Sequence, residues 1–189
     1  MALILASASP RRFELLKLIT EDFSVLTAQD DETLPYGILP SQAVMLLARR
    51  KAEAVAVQRP DDVIIGADTI VALGDEVFGK PRDRRQAADM LAALCGRTHE
   101  VYTGVCICHA GGVDCFSQAA SVTFAEMDRQ EIADYVASGE PDDKAGAYGI
   151  QGLGARFIAR IEGDYYTVMG LPVQALYQAL RQKGLLTSL

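Results

Sequence analysis

The sequence lacks several features that would assign it to a common functional class. Its 189 residues contain no tryptophan, only two histidines and only four cysteines. Neither histidine stands at a spacing typical of a metal site or a catalytic triad, and the G-x-S-x-G and P-loop motifs are both absent. The sequence therefore gives no support for nucleophilic serine chemistry or for a Walker-type ATPase.

An excess of basic residues is also missing. The formal net charge is −7 at pH 7, whereas nucleic-acid-binding domains are usually basic and carry interleaved aromatic residues. No apolar run reaches the roughly 18 to 20 residues that a membrane span needs, and the N-terminus lacks the charged start and hydrophobic core of a signal peptide. We therefore expect a cytoplasmic protein with no nucleic-acid or membrane partner.

The few cysteines are expected to be thiols, because a reducing compartment keeps them so. Cys106 and Cys108 lie two apart in a strand-like run and thus face the same side. Together with His109 and Cys115 they could form a zinc site. The absence of paired C-x-x-C spacing favours the other interpretation, in which these cysteines belong to the apolar core.

The N-terminal segment places two arginines where a strand passes into a helix. Residues 2–6 form an apolar run of strand length, and residues 10–19 have helical spacing. Ser9 is a suitable N-cap before proline. Arg11 and Arg12 then fall in the first helical turn, where the helix dipole disfavours positive charge, so something should compensate them. A bound phosphate would do so; a solvated arginine pair is the alternative.

Asp68 stands inside the apolar run 63–73, which predicts a strand. A carboxylate in such a run must be paired, hydrogen-bonded or metal-bound, since burying it alone costs several kcal/mol. Gly66, two residues earlier, indicates a bulge or a close backbone approach. Asp68 is therefore a candidate functional residue, and a structural aspartate satisfied by local N–H groups is the alternative.

Lys51 lies on the inward face of a helix predicted over residues 41–57. The apolar residues of this face recur at spacings of three, four and seven: Val44, Leu47, Ala48 and Val55. The lysine stem can pack there while its ammonium reaches a cleft or, alternatively, solvent at the rim of the core.

The order of elements predicts an α/β fold with a mixed central sheet flanked by helices. Helices and strands alternate in the first half of the chain, whereas hairpins dominate later, which argues against a purely parallel sheet. The later hairpins are predicted over residues 99–125 and through Gly163, with a helix that Asp128 caps and a last helix over residues 172–183. The length suits one domain, or one fold of two lobes.

Five separated motifs, in this order, resemble the Maf family of nucleoside triphosphate pyrophosphatases. They span essentially the whole chain: Ser7-Ala8-Ser9-Pro10-Arg11-Arg12, Arg50-Lys51, Gly66-Ala67-Asp68-Thr69-Ile70-Val71, Gly79-Lys80-Pro81, and the segment from Lys144 to Gly152. Gln151 makes the last motif similar to that of the branch acting on dTTP and UTP, rather than that of the sister branch acting on 7-methyl-GTP.

This resemblance implies a fold, a reaction and a cofactor. The fold would be a single two-lobed α/β domain over residues 1–189, of the Maf and inosine triphosphatase type, with the nucleotide in a cleft between the lobes. The reaction would be the hydrolysis of dTTP, UTP and modified pyrimidine nucleotides to monophosphate and pyrophosphate, which limits incorporation of non-standard nucleotides. It would need Mg²⁺ or Mn²⁺. A homodimer is expected only because homodimers are common.

The resemblance also implies roles for individual residues. Asp68 would be the proton acceptor that activates water, and Lys51 and Lys80 would take part in catalysis at the phosphates. Arg12, Thr69 and Gln151 would select the base, Ser7 and Arg11 would bind the substrate, and Glu32 with Asp68 would hold the metal. The acidic loop departs from the family pattern, because Asp31 precedes Glu32 where two glutamates are expected, which leaves the metal ligand there open.

A nucleotide-sensing regulator of cell division is the alternative function. Such a protein would bind a triphosphate without turning it over, and the basic residues would suit it equally well. Asp68 distinguishes the two, since a sensor has no need for a carboxylate among phosphates.

Overall fold

A computed structural model describes residues 1–29 and 33–186. The chain divides into two compact units. Unit 1 comprises Met1–Asp68, Thr103–Gln118 and Gly170–Leu189, and unit 2 comprises Thr69–Tyr102 and Ala119–Met169. The acidic residues Asp30, Asp31 and Glu32 lie outside the described residues.

The elements of the described residues follow the predicted alternation. The strands are β1 (Leu3–Leu5), β2 (Ser24–Val25), β3 (Val63–Leu73), β4 (Glu76–Phe78), β5 (Thr98–His109), β6 (Gly112–Phe124) and β7 (Ile158–Glu162). The α-helices are α1 (Pro10–Lys17), α2 (Pro40–Ala56), α3 (Arg84–Leu94), α4 (Arg129–Ala137), α5 (Tyr165–Met169) and α6 (Val173–Gln182). Short 3₁₀ helices cover Glu140–Asp143, Ala145–Ala147 and Leu153–Phe157.

Hydrogen bonds join the strands in the order β2-β1-β3-β5-β6-β7, with β4 paired to β3. Strand β1 runs parallel to β2 and β3. Strands β4 and β7 run antiparallel to β3 and β6. The predicted mixed α/β sheet is confirmed, and so is the prediction that it is not purely parallel.

In unit 1, helix α2 lies unusually close to the sheet. A Cβ atom at Gly66 in β3 would stand 2.1 Å from the carbonyl oxygen of Ala48, and one at Gly104 in β5 would stand 2.4 Å from that of Val44. Only glycine permits this approach of helix backbone to strand. Of the two interpretations of Gly66, a bulge or a close backbone approach, the structure shows the close approach. The core beneath α2 consists of Ile4, Ala6, Ala48, Ala52, Val55, Ile64, Cys106 and Cys108.

In unit 2, helices α3 and α4 begin at aspartate caps. The Asp83 carboxylate accepts from the backbone N–H of Gln86 at 2.8 Å. The Asp128 carboxylate accepts from the N–H of Glu131 at 2.8 Å, and the Glu131 carboxylate accepts from the N–H of Asp128 at 2.9 Å, which completes a capping box. The predicted Asp128 cap is confirmed. The largest fully buried side chains of this unit are Leu91, Leu94, Phe124 and Tyr135.

The predicted hairpin through Gly163 is wrong. After β7 the chain enters α5 instead of a second strand. The carboxylate of Asp164 accepts from the backbone N–H groups of Tyr166 and Thr167, at 3.2 and 2.8 Å. This side chain thus satisfies the first free N–H groups of a helix, which competes with strand formation at the same residues.

The expectation that all four cysteines are thiols is also wrong. Cys106 and Cys115 form a disulfide across 4.2 Å between their Cα atoms, while Cys95 and Cys108 are free. A bonded sulfur is not a thiolate, so the zinc set proposed with Cys108 and His109 loses two of its ligands. Among residues 1–29 and 33–186, no group of three or more His, Cys, Asp or Glu side chains could hold a metal ion. No helix in the same ranges has the length and apolar character needed to cross a membrane.

Candidate active site

The N-terminal segment folds as predicted, with Ser9 as the N-cap of α1. The Ser9 hydroxyl accepts from the backbone N–H of Arg12 at 3.5 Å. Ser7 follows β1 and is 7% exposed. Its hydroxyl accepts from the Ser9 backbone N–H at 3.3 Å and from Arg12 Nη1 at 3.2 Å. The turn thus brings a buried serine hydroxyl and a guanidinium together at the start of the helix.

Arg12 is a fixed cation. Its Nε donates to the carbonyl oxygen of Gly170 at 2.8 Å, in addition to the contact with Ser7. Burial lowers the pKa of Arg12 from its ordinary value, the negative charge of Asp68 opposes this shift, and the neighbouring charge of Arg11 adds to it. The positive charge of Arg12 at the start of α1 is therefore compensated partly by groups of the protein, namely the Asp68 carboxylate and the Gly170 carbonyl oxygen.

Lys51 and Asp68 form an ion pair. Lys51 Nζ donates to Asp68 Oδ1 at 2.5 Å, and the two side chains are only 18% and 13% exposed. The backbone of α2 at Ala48 and Ala52 packs directly against Gly66 of β3. This contact places Lys51 beside Asp68, which lies two residues further along the strand. The prediction that Asp68 needs a partner is confirmed, as is the inward position of Lys51.

Unit 1 therefore concentrates positive charge around one carboxylate. Arg11 and Arg12 lie in the first turn of α1, and Lys51 comes from α2. The Asp68 carboxylate pairs with Lys51, and its negative charge also acts on Arg12. Arginine and lysine side chains next to a helix N-terminus have the chemistry that binds polyanions.

The remaining predicted residues that the structure describes lie in unit 2. Thr69 is half-buried and directly follows Asp68 in β3. Lys80 is exposed, and the carbonyl oxygen of the preceding Gly79 accepts from the N–H of Gly146 at 3.1 Å. Gln151 is exposed in the turn before the last 3₁₀ helix. The loop of Lys80 thus contacts the motif that contains Gln151. The predicted metal ligand Glu32 lies outside the described residues.

Sequence reasoning missed Glu140, which the structure places at the centre of a hydrogen-bond network in unit 2. Its Oε1 accepts from Tyr135 Oη at 2.9 Å and from Gly154 N at 3.0 Å, and its Oε2 accepts from Leu153 N at 2.7 Å. Burial raises the pKa of Glu140, but the hydrogen bonds from Gly154, Leu153 and Tyr135 outweigh it, and the net pKa is lowered. The available signal was the spacing of Gly149, Gly152 and Gly154, which indicates close backbone approach.

Comparison with known proteins agrees with these features. The family described as Maf-like protein matches residues 2–183. A dTTP/UTP pyrophosphatase of Koribacter versatilis is 50% identical over 186 residues, covering 98% of this chain and 96% of the relative. A dTTP/UTP pyrophosphatase of Geobacillus sp. is 48% identical over 182 residues, covering 96% of this chain and 98% of the relative.

Solved structures of low sequence identity share the fold. The Ham1 protein of Staphylococcus aureus superposes with a TM-score of 0.55 at 14% identity, over 96% of this chain and 98% of that one. A HAM1 protein from Coxiella burnetii gives a TM-score of 0.50 at 13% identity, over 95% and 98%. The family match over almost the full length, together with the two relatives near 50% identity, shows that this chain belongs to the Maf family.

Proposed function

We propose that this protein is a nucleoside triphosphate pyrophosphatase that hydrolyses dTTP and UTP to the monophosphate and pyrophosphate. The observation that carries the proposal is the Lys51–Asp68 pair beside Arg12, a carboxylate held among cations. The two relatives near 50% identity, both named dTTP/UTP pyrophosphatase, support the same reaction. A sensor that binds without turnover is not favoured, because it has no use for this carboxylate.

Asp68 acts as the proton acceptor for water. Its carboxylate takes one proton as the water oxygen forms a bond to the α phosphorus, and the bond from that phosphorus to the bridging oxygen between the α and β phosphates breaks. The electron pair leaves with pyrophosphate. Lys51, Arg11 and Arg12 stabilise the charge that grows on the phosphate oxygens, which is the main contribution a protein makes to phosphoryl transfer.

The reaction implied by the family uses a divalent metal, for which we assign Asp68 and Glu32 as ligands. Mg²⁺ and Mn²⁺ prefer oxygen ligands, and Mg²⁺ is usually held by one or two carboxylates together with substrate phosphates. Asp68, which is 13% exposed, can supply one such oxygen, and Glu32 is the second ligand we assign. When bound, the metal would neutralise phosphate charge.

The residues outside this pair bind and select the substrate. Ser7 contributes its hydroxyl at the start of α1, and Lys80 contributes a cation for the phosphates. Arg12, Thr69 and Gln151 distinguish the base. The amide of Gln151 both donates and accepts, as does the carbonyl and N–H edge of uracil or thymine. Activity on modified pyrimidine nucleotides would limit their incorporation into nucleic acid. Cytoplasmic localisation and a homodimer stay predictions.

A substrate panel tests the proposal. Each common and modified nucleoside triphosphate is incubated with the protein and Mg²⁺, Mn²⁺ or a chelator, and monophosphate and pyrophosphate are measured. We expect dTTP and UTP to be cleaved in equimolar yield of both products. Cleavage of guanine nucleotides with dTTP and UTP untouched would overturn the proposal.

The substitution Asp68→Asn tests the assigned proton acceptor. It keeps the shape and removes the basic oxygen, so we expect turnover to fall by about a thousandfold or more while nucleotide binding, measured by calorimetry, remains. Asp75→Asn, in the exposed turn after β3, is the matched control and should keep full activity. Retained turnover in Asp68→Asn would contradict the role.

A further inference from the structure

The segment that carries Gln151 is held at both ends by side chains of unit 2. On one side, the backbone N–H of Gly149 donates to Tyr135 Oη at 3.0 Å. On the other side, Leu153 N and Gly154 N donate to the two carboxylate oxygens of Glu140, at 2.7 and 3.0 Å. Gln151 therefore lies two residues from an anchor in either direction.

The two anchors are connected, because Glu140 also accepts a hydrogen bond from Tyr135. The Tyr135 hydroxyl donates to Glu140 Oε1 at 2.9 Å while it accepts from Gly149. All three N–H groups thus depend directly or indirectly on one carboxylate. Hydrogen bonds to an ionised acceptor are about twice as strong as neutral ones, so the Glu140 carboxylate is a strong anchor for the segment.

Glycine at position 152 leaves room for this carboxylate, and glycine at position 149 leaves room for the side chains of Lys144 and Glu140. A Cβ at Gly152 would stand 2.2 Å from Glu140 Oε2, and one at Gly149 would stand 3.2 Å from Oε1 and 2.7 Å from Lys144 Cε. The Lys144 ammonium in turn donates to the carbonyl oxygen of Glu140 at 2.6 Å. A segment so rich in glycine has high conformational freedom unless it is tied down, and Glu140 ties it.

We propose that Glu140 is a positioning residue for base discrimination: its carboxylate fixes the backbone on both sides of Gln151 and thereby fixes the amide that reads the base. The inference rests on the proposed function, in which Gln151 contacts uracil or thymine. Recognition by one side-chain amide depends on placement within about half an ångström. Glu140 itself need not touch the nucleotide.

The test compares Glu140→Gln with Glu131→Gln. The first variant keeps the size of residue 140 but turns an NH₂ group toward one of the two backbone N–H donors. The second makes the same chemical change in the capping box of α4, where the carboxylate also accepts a backbone N–H. We expect the ratio of kcat/KM for UTP over CTP to fall about tenfold in Glu140→Gln, through KM for UTP and with kcat nearly kept. Glu131→Gln should keep the ratio.

A double variant separates positioning from general destabilisation. In a Gln151→Ala background, Glu140→Gln should cause no further loss of discrimination, because the amide it positions is already gone. A loss of the same size in both backgrounds would show that Glu140 acts independently of Gln151 and would overturn the proposal.

Amide hydrogen exchange gives a readout that does not depend on activity. We expect residues 149–154 to exchange faster in Glu140→Gln than in wild type, and to remain unchanged in Glu131→Gln. Unchanged exchange in both variants would overturn the anchoring. Faster exchange with full discrimination would overturn the role in specificity. If the wild type cleaves neither dTTP nor UTP, the proposed function and the specificity role fail together, while the exchange result still decides the anchoring.

Discussion

Two carboxylates, one in each unit, are satisfied in opposite ways. In unit 1, Asp68 is paired with the ammonium of Lys51 at the end of a long side chain. In unit 2, Glu140 accepts from two backbone N–H groups and a buried tyrosine hydroxyl. A lysine ammonium can rotate toward another anion, whereas backbone N–H groups stay where the fold puts them.

In the proposed function, this difference separates a reactive group from a structural one. The Lys51 ammonium could be shared with a phosphate oxygen of the substrate, which would leave the Asp68 carboxylate able to take a proton. The partners of Glu140 cannot be shared without opening the segment around Gln151. A carboxylate paired with a long, flexible side chain can therefore still react. A carboxylate held by backbone N–H groups can instead keep a neighbouring segment in place.

Removing Lys51, the partner of Asp68, should have the largest effect on activity. Lys51→Met keeps the apolar stem in place but removes the cation that faces Asp68. We expect kcat for dTTP and UTP to fall by about 10²- to 10³-fold, the usual cost of deleting one donor that stabilises transition-state charge. Arg49→Met, on the exposed side of the same helix, is the control. Equal activity of the two variants would show that the pair is purely structural.

The second prediction compares a glycine in each unit by urea unfolding. Gly66→Ala forces a Cβ to 2.1 Å from a backbone oxygen, which only movement of α2 can relieve. Gly152→Ala forces a Cβ to 2.2 Å from Glu140 Oε2, which the Glu140 side chain can relieve by a small rotation that weakens its hydrogen bond with Leu153 N. We expect the free energy of unfolding to fall by about 3 kcal/mol or more for Gly66→Ala and about 1 kcal/mol for Gly152→Ala. The reverse order would contradict the rigid contact of α2.

The third prediction concerns a buried neutral histidine in unit 2. His99 is 1% exposed, and burial lowers its pKa from 6.5 to about 4. Its Nε2 pairs with Tyr148 Oη at 2.8 Å, and its Nδ1 has no partner in the described residues. Between these two pKa values the unfolded chain binds a proton that the folded chain does not, so the free energy of unfolding falls as the pH falls.

Between pH 7 and pH 5, we expect protonation of His99 in the unfolded chain to lower the free energy of unfolding by about 2 kcal/mol. Glutamine at position 99 can keep a hydrogen bond to Tyr148 but does not titrate. In urea unfolding, His99→Gln should therefore lose about 2 kcal/mol less stability than wild type between pH 7 and pH 5. His109→Gln, in the ion-paired hairpin of unit 1, should retain the loss seen in wild type. An identical pH profile in His99→Gln and wild type would exclude His99 as the source.

The sequence was sufficient for features that depend on neighbours along the chain. The Ser9 and Asp128 caps, the strand containing Asp68 and the inward face of Lys51 were all predictable, because each depends on residues within one or two helical turns or one strand. The close approach at Gly66 was predictable as well, since a glycine inside an apolar strand leaves room for a neighbouring backbone.

Features that depend on distant neighbours were not predictable. Glu140 meets Leu153 and Gly154 only after the chain has passed through two short 3₁₀ helices, and no local period marks that. Strand β7 pairs with β6, which lies more than thirty residues earlier. The residues around Gly163 give no sign of so distant a partner, and a hairpin was therefore expected there. The disulfide joining Cys106 to Cys115 likewise depends on which residues of two neighbouring strands face each other.

The two glycines beneath α2 have a practical consequence for protein engineering. Because Gly66 and Gly104 bring strand and helix backbones into direct contact, the height of Lys51 above the sheet is set by main-chain atoms and not by the volume of core side chains. Hydrophobic residues further along the helix are thus open to redesign for heat tolerance, while the position of Lys51 relative to Asp68 would stay unchanged.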